Sequence, residues 1–381
     1  MADNIDKGLY QVGGPPELEI IKKETEVEID GQRIPTPEGL EIQMDEEGGA
    51  ILDFDPMAAI PEEVEFYSNL AEVLEDGELG ELSDELMADF ESDKSSRKDW
   101  EDAYIKGLDL LGLKFVERTN PFRGASSATH PLLAESATQF QATAFKELLP
   151  AGGPVRTVVM GDETPEKYAK AGRVQEFMNF QLMNKMEDYT PEYDQMLFHL
   201  PLAGSTFKKI YYDELMDRPV SKFVPAEDLV VNYLATDLDS CERICQVINM
   251  SYNDFRKKQV SGFYKDVDIL PSDYKADEVQ KKYDELEGIR PSYADKAIKL
   301  YEFHVSLDLK NFEDRDQMGE KTGIKIPYIV TIEEGSSKVV GIRRNFEKDD
   351  SKKMKKQYFV HYKFLPGLGF YGFGLIHMIG G

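Results

Sequence analysis

The stretch from Glu117 to Thr157 constrains the chain more than any other. A run of small residues, Asn120 to Thr129, leads into a segment fenced by Pro131 and Pro150. Proline suits the first turn of a helix, where its missing N–H has no partner, and it stops a helix just beyond the end. Between the two prolines Leu133, Ala137, Phe140, Ala144 and Leu148 recur at spacings of three and four. That period predicts one apolar stripe on a helix. Glu135, Gln139, Gln141 and Lys146 are assigned to the opposite face.

Around this helix the charge is uneven. The chain of 381 residues carries a net charge of −27. Residues 1–100 hold 29 Asp and Glu against 7 Lys and Arg, a balance of −22, and the rest is close to neutral. Residues 1–60 are rich in Gly, Pro and acids, with two short alternating pieces, EVEIDGQRI and AILDFD. Segments of this kind bury too little to offset ordering entropy, so an acidic, largely disordered arm is expected over 1–95. Within it Pro61 to Phe90 reads as an acidic helix pair broken near Gly77 and Gly80. Its Leu70, Leu74, Leu79, Leu82 and Leu86 are available to touch a body surface. The ordered body is expected from about Trp100, with Trp100, Tyr104, Leu108 and Leu111 as a core stripe.

The blocks PFRGASSATHPLLAESATQFQATAFKELLPAGGPVRT (121–157), PLAGSTFKKIYYDE (201–214) and SKFVPAEDLVVNYLATDLDSCERI (221–244) follow one another in order. Together they resemble the N-terminal portion of portal proteins of tailed bacteriophages, the head-to-tail connectors, and above all the large portals of short-tailed phages. The resemblance spans roughly 100–381. It implies a mixed α/β (α+β) fold with a wing and stem body over 96–295 and a β-rich clip-like region over 296–366. It also implies a homo-oligomeric ring, with twelve subunits as the family expectation, at the unique capsid vertex. Such a ring forms the channel for DNA packaging and ejection. The implied partners are the terminase large subunit, the major capsid and scaffolding proteins, tail and head-completion proteins, and double-stranded DNA passing without sequence preference. The implied location is the virion, and the host cytoplasm during assembly. Such portals continue for several hundred residues more, so 367–381 is expected to begin a channel helix that is cut short. Phe370, Tyr371, Phe373 and Leu375 are then expected to lack cover, and the chain to assemble poorly.

Further along, Thr164-Pro165-Glu166 and Thr190-Pro191-Glu192 are helix-start signals. The first should launch a stripe of Tyr168, Ala171, Val174, Phe177, Met178, Leu182 and Met186. Residues 207–214 and 220–225 alternate as two strands around a turn at Asp217-Arg218-Pro219, with Phe207, Ile210 and Tyr212 facing Val220, Phe223 and Val224 over a helix layer. Ser251 should start a helix with Phe255 and Val260 on its apolar side, ended by Gly262, and another helix is expected at 276–287. From Ala297 the period switches to two. A hairpin is expected at 324–344, turning at Gly335-Ser336, with a further strand at 358–364.

Chemistry-bearing patterns are sparse. Cys241 and Cys245 have a spacing that fits one helix face, but no second ligand pair accompanies them, so inert thiols are expected rather than a metal or disulfide. Asp228, Asp237, Asp239 and Glu242 lack the regular spacing of a cation loop. Gly367, Gly369 and Gly372 match a dinucleotide loop in form only. No Walker A, HExxH or GxSxG motif occurs. No cofactor, metal or catalytic residue is therefore expected, and a structural protein rather than an enzyme. Lys348, Lys352, Lys353, Lys355 and Lys356 form a basic loop that is either solvated or a contact for DNA or an acidic partner. Arg123 and His130, flanking the small-residue loop, are candidates for a contact with a neighbouring subunit. A soluble acidic scaffold or adaptor that binds basic partners is the alternative function.

Overall fold

The computed structural model describes residues 64–379 apart from 112–121, 123–129, 214–215, 270–275, 289–296 and 316–319, together with the backbone of four short strands nearer the N-terminus. The chain divides into two compact units, Met1–Val64 and Glu65–Gly381. In the first, β1 (Glu26–Ile29) pairs antiparallel with β2 (Gln32–Pro35), and β3 (Ile42–Met44) with β4 (Ala50–Leu52). EVEIDGQRI thus folds back on itself, and the first three residues of AILDFD pair with Ile42–Met44.

The second unit is mixed α/β. Its helices are α1 (Asp76–Ser96), α2 (Lys98–Leu108), α3 (Leu132–Leu148), α4 (Pro165–Phe180), α5 (Tyr189–Ala203), α6 (Tyr252–Val260), α7 (Glu278–Glu287) and the short α8 (Leu375–Ile379). One antiparallel sheet runs in the order β11-β10-β9-β8-β7, from β7 (Leu229–Val230), β8 (Arg243–Ser251), β9 (Ala297–Leu307), β10 (Ile326–Glu333) and β11 (Val339–Arg344). A second runs β12-β5-β6, from β5 (Ser205–Asp213), β6 (Arg218–Pro225) and β12 (Phe359–Lys363).

Several expectations are corrected. The sequence predicts disorder as far as residue 95, but Asp76–Ser96 form a helix. α1 runs unbroken through Gly77 and Gly80 and buries Leu79, Ser83, Leu86, Phe90 and Asp93 at helical spacing. Its many acids lie on the outer face, while Phe90 sits 4.5 Å from the Tyr301 ring and Asp93 binds Arg243 Nε at 2.7 Å. Ahead of it Asn69 accepts from Ile342 N–H and donates to the Val340 carbonyl. Those two bonds satisfy the open edge of β11, where an unpaired strand would otherwise invite another chain.

The clip-like region of 296–366 is not a separate body. β9 pairs with β8 along nine positions, so the sheet straddles the expected boundary at 295, and β12 joins β5 rather than the preceding hairpin. Cys245 lies on β8 and Cys241 in the turn before it, not on a helix. In α3 the stripe holds at Leu133 and Ala137, but Leu148 is exposed and Leu149 takes its place. The 3.6-residue period has drifted by that point. Gln141, assigned to the solvent face, bonds Asp194 of α5 at 2.8 Å. Val260, on the expected apolar side of α6, is exposed, whereas Phe255 is fully buried.

The largest reversal is at 367–379. Phe370 and Tyr371 have no exposed surface. Tyr371 Oη donates to the Leu229 carbonyl at 2.8 Å and accepts from Val231 N–H and Arg97 Nη1 at 3.1 and 3.0 Å. Trp100 stacks on Tyr371 at 4.8 Å and donates to the Gly372 carbonyl. Glycine is required where two backbone segments cross. A Cβ on Gly374 would stand 2.0 Å from the Leu202 carbonyl oxygen, and one on Gly204, whose φ is +82°, would stand 2.2 Å from Gly374 N. The Gly-aromatic stretch is therefore the centre of the core, and its rings are covered by α2, β5 and β7.

Candidate functional site

Three places in the second unit hold more chemistry than packing requires. The first is the turn between β6 and β7. Arg97, itself buried, spends its guanidinium on the carbonyls of Ala226, Glu227 and Leu229 at 2.6–3.0 Å and on Tyr371. Its remaining charge faces Glu101 at 3.4 Å. Glu227 and Asp228 on that turn sit near Asp277, the N-cap of α7. Burial first, and then Asp228 beside Glu227 and Asp277 beside Asp228, pushes both carboxyls up to about 7. Tyr283 of α7 reaches Glu227 and shares a 2.7 Å hydrogen bond with Tyr104 of α2. The cluster fastens α7 to α2 and the turn. It holds no nucleophile beside a base.

The second place is Lys208, buried on β5 between the rings of Tyr189 and Tyr193, each 4.7 Å from its ammonium. Burial lowers this lysine to about 8, opposed by Glu192 and Asp188. Stripped of water on both sides, the ammonium holds α5 to the sheet by cation–π attraction. On the other face of the same sheet half-buried Lys209 and Glu302 and buried His304 form a chain with contacts of 2.6 and 2.8 Å, tying β5 to β9. The Lys209 charge offsets burial and holds Glu302 well below the usual carboxylate range. All three groups are consumed in this tie.

The third place is a surface. α4 begins as expected, with Thr164 Oγ1 accepting from Lys167 N–H and Pro165 in the first turn. Yet none of its residues is buried. Tyr168, Val174, Phe177, Met178 and Phe180 are exposed, as are Val158, Met160 and Met183 beside them. Of the stripe expected here only Met186, beyond the helix, enters the core. What holds α4 in the single chain is a polar clasp. Asn179 exchanges bonds with the backbone of Val155 at 2.9 and 3.1 Å, Gln175 accepts from Thr157 N–H, and Thr157 Oγ1 donates to the Ala171 carbonyl.

The residues singled out from sequence do not converge. Arg123 lies outside the described residues, and His130 is exposed at the start of α3. Within the basic loop Lys353 pairs with Asp314, Lys356 with Glu347 at 2.7 Å, and Lys355 donates to the carbonyls of Leu238 and Asp239. Lys348 and Lys352 remain exposed among Glu347, Asp349 and Asp350. A five-lysine patch for DNA is thus not what the loop presents, because folding spends three of the five on internal acceptors. Asp237 caps the turn at Asp239 and Ser240. Among the described residues no group of three or more His, Cys, Asp or Glu side chains could hold a metal ion, and no helix is long and apolar enough to cross a membrane. Burial raises Cys241 to about 11 and lifts Cys245 well above the ordinary thiol value, which keeps both as thiols.

The exposure of α4 was not legible in the sequence, where Tyr168, Val174, Phe177 and Met178 read as one apolar stripe of the kind a core covers. No family model and no curated protein matches the chain.

Proposed function

We propose that this chain is a structural subunit of a phage portal ring, one that supplies a DNA channel and docking faces for terminase and tail proteins and carries no catalysis of its own. Support comes from the three ordered sequence blocks at 121–157, 201–214 and 221–244. The observation that carries the reading is α4, a helix without one buried residue that exposes a contiguous set of large apolar side chains. Soluble monomers seldom expose such patches, whereas assembling subunits do. A ring needs heterologous contacts between unlike faces of neighbouring copies.

Mass photometry and negative-stain microscopy of the purified chain test the reading. With Phe370 and Tyr371 covered, the ground for expecting poor assembly is gone, and closed rings with a central hole are the expected outcome. A chain that stays monomeric at every concentration sinks it and favours the acidic adaptor instead.

A further inference from the structure

α4 and the extended stretch before it form one piece, tied within itself. From Pro154 to Lys185 no residue is buried, and the run is bracketed by Leu149 and Met186, which both are. Among the described residues the side-chain hydrogen bonds of 154–180 all close inside that stretch. Ala171, Gln175 and Asn179 stand one turn apart on one face of α4. Asn179 holds Val155, while Gln175 and the Ala171 carbonyl hold Thr157, so the extended stretch lies along two turns of the helix. At the far end Gly161, with φ +82°, turns the chain, and Lys167 Nζ donates to the Asp162 carbonyl at 2.7 Å. A clasp of this kind resists deformation within the piece and does nothing to fix it to the body.

The anchors in the body are the two roots of the piece. Leu149 packs with Tyr193, Met196 and Leu197, and Met186 is 5% exposed. Between Leu149 and the clasp lies a tight turn, in which Gly153 N–H donates to the Pro150 carbonyl at 2.8 Å and Gly153 takes φ +89°. Between the clasp and Met186 lies a π-helical turn, Gln181–Lys185, closed by Met186 N–H on the Gln181 carbonyl at 2.9 Å. A π turn interrupts the α-helical ladder, and such interruptions are where helices kink. The two joints line one open cleft of about 360 Å3, with Gly152 and Gly153 on one side and Asn179, Phe180, Met183 and Asn184 on the other. We propose that residues 154–180 are a rigid lever that swings about these two joints. Two points of attachment define one axis, so the motion is a rotation and not free tumbling. A rotation of about 20° carries Glu166, about 21 Å along α4 from Phe180, through about 7 Å. The lever is a property of the single chain and stands apart from the ring reading.

Spin-label distances in the full chain test this, at a concentration below that at which it assembles. Labels are placed on exposed positions by way of cysteine, and burial keeps Cys241 and Cys245 as thiols that react slowly at neutral pH. Glu166→Cys with Gln139→Cys on α3, and Glu166→Cys with Lys257→Cys on α6, span lever and body. Val158→Cys with Arg173→Cys spans the clasp inside the lever. The first two pairs should give distances spread over about 7 Å, and the third a single narrow distance. Removing the clasp, by Asn179→Ala with Thr157→Val, should broaden the third pair. Lever-to-body distances as narrow as the clasp pair overturn the proposal, because the piece is then fixed to the body. A clasp pair as broad as the other two in the unmodified clasp overturns it as well, because no rigid unit moves. Should the Glu166 variant unfold, Lys170→Cys takes its place, with the same outcomes read on a spread of about 5 Å.

Discussion

α4 and α5 are neighbours in sequence and similar in length, and both contain Thr-Pro-Glu at or near the start. Their fates are opposite. α5 buries seven residues, among them Met196 and Leu197, against α3 and the three-stranded sheet. α4 buries none. The better local signal belongs to α4, whose Thr164 makes its capping bond, whereas no side chain caps α5 at Asp188. A start signal therefore sets where a helix begins and not whether the fold will cover it. Isolated helices of this length are marginal in water. α4 relies on its clasp to 155–157 and, on the reading above, on another copy.

Five experiments sharpen or break that contrast. The largest effect is expected at Leu197, 1% exposed in α5. Leu197→Ala should cost about 2–5 kcal/mol in denaturant unfolding, the range for a fully buried leucine. A loss below about 1 kcal/mol would mean that α5 is not the core helix described. Phe140, half-buried against Phe364 at 5.3 Å, should lose less on truncation to Ala than the about 3–5 kcal/mol of a fully buried ring.

The core side also differs from α4 in its response to pH. Glu227 and Asp228 have ordinary values of 4.5 and 3.8 and are raised to about 7 in the fold. Between those limits the folded chain binds more protons than the unfolded one, so their contribution is fully present at low pH and is lost as pH rises toward 7. His199, lowered by burial from 6.5 to about 4, acts in the opposite direction and loses stability as pH falls through that interval. The double variant Glu227→Gln, Asp228→Asn isolates the first effect. Its advantage over the unmodified chain should grow from pH 4.5 to 7, by a few kcal/mol at most, and then level off. A constant difference across the range would remove the carboxyls from the account.

Smaller effects belong to α4. Thr164→Ala should cost about 1 kcal/mol of helix stability. Hydrogen exchange should show this as faster exchange at the first turn of α4, with the global unfolding midpoint unchanged. Phe177→Ser should leave the unfolding free energy of the monomer within about 0.5 kcal/mol. A larger loss would show that the face is already covered in the single chain.

Much of the local structure was written in the sequence. Thr164, Ser251 and Asp277 accept from the backbone of the following turn, and Gly204, Gly262 and Gly288 end helices in the left-handed region, each for reasons held within a few residues. The β10–β11 hairpin followed from its period of two and its turn. Trp100, Tyr104, Leu108 and Leu111 fell into the core because their spacing leaves α2 one apolar side. The mixed α/β class follows from these elements together.

Tertiary structure alone decided which elements meet. β12 pairs with β5, about 150 residues earlier, because strand partnership is set by sheet edges and not by sequence distance. Acidic α1 is ordered because its inward positions find the five-stranded sheet and Arg243, an outcome that charge counting over a window cannot register. The Gly-aromatic stretch became the centre of the core through the crossing at Gly204, Gly372 and Gly374, where only glycine permits the backbones to approach. Lysines that look free in a basic loop were spent on carbonyls and carboxylates supplied from elsewhere in the chain. In each case propensity and spacing act over one turn or one pleat, while burial and pairing depend on surfaces brought together across the whole chain.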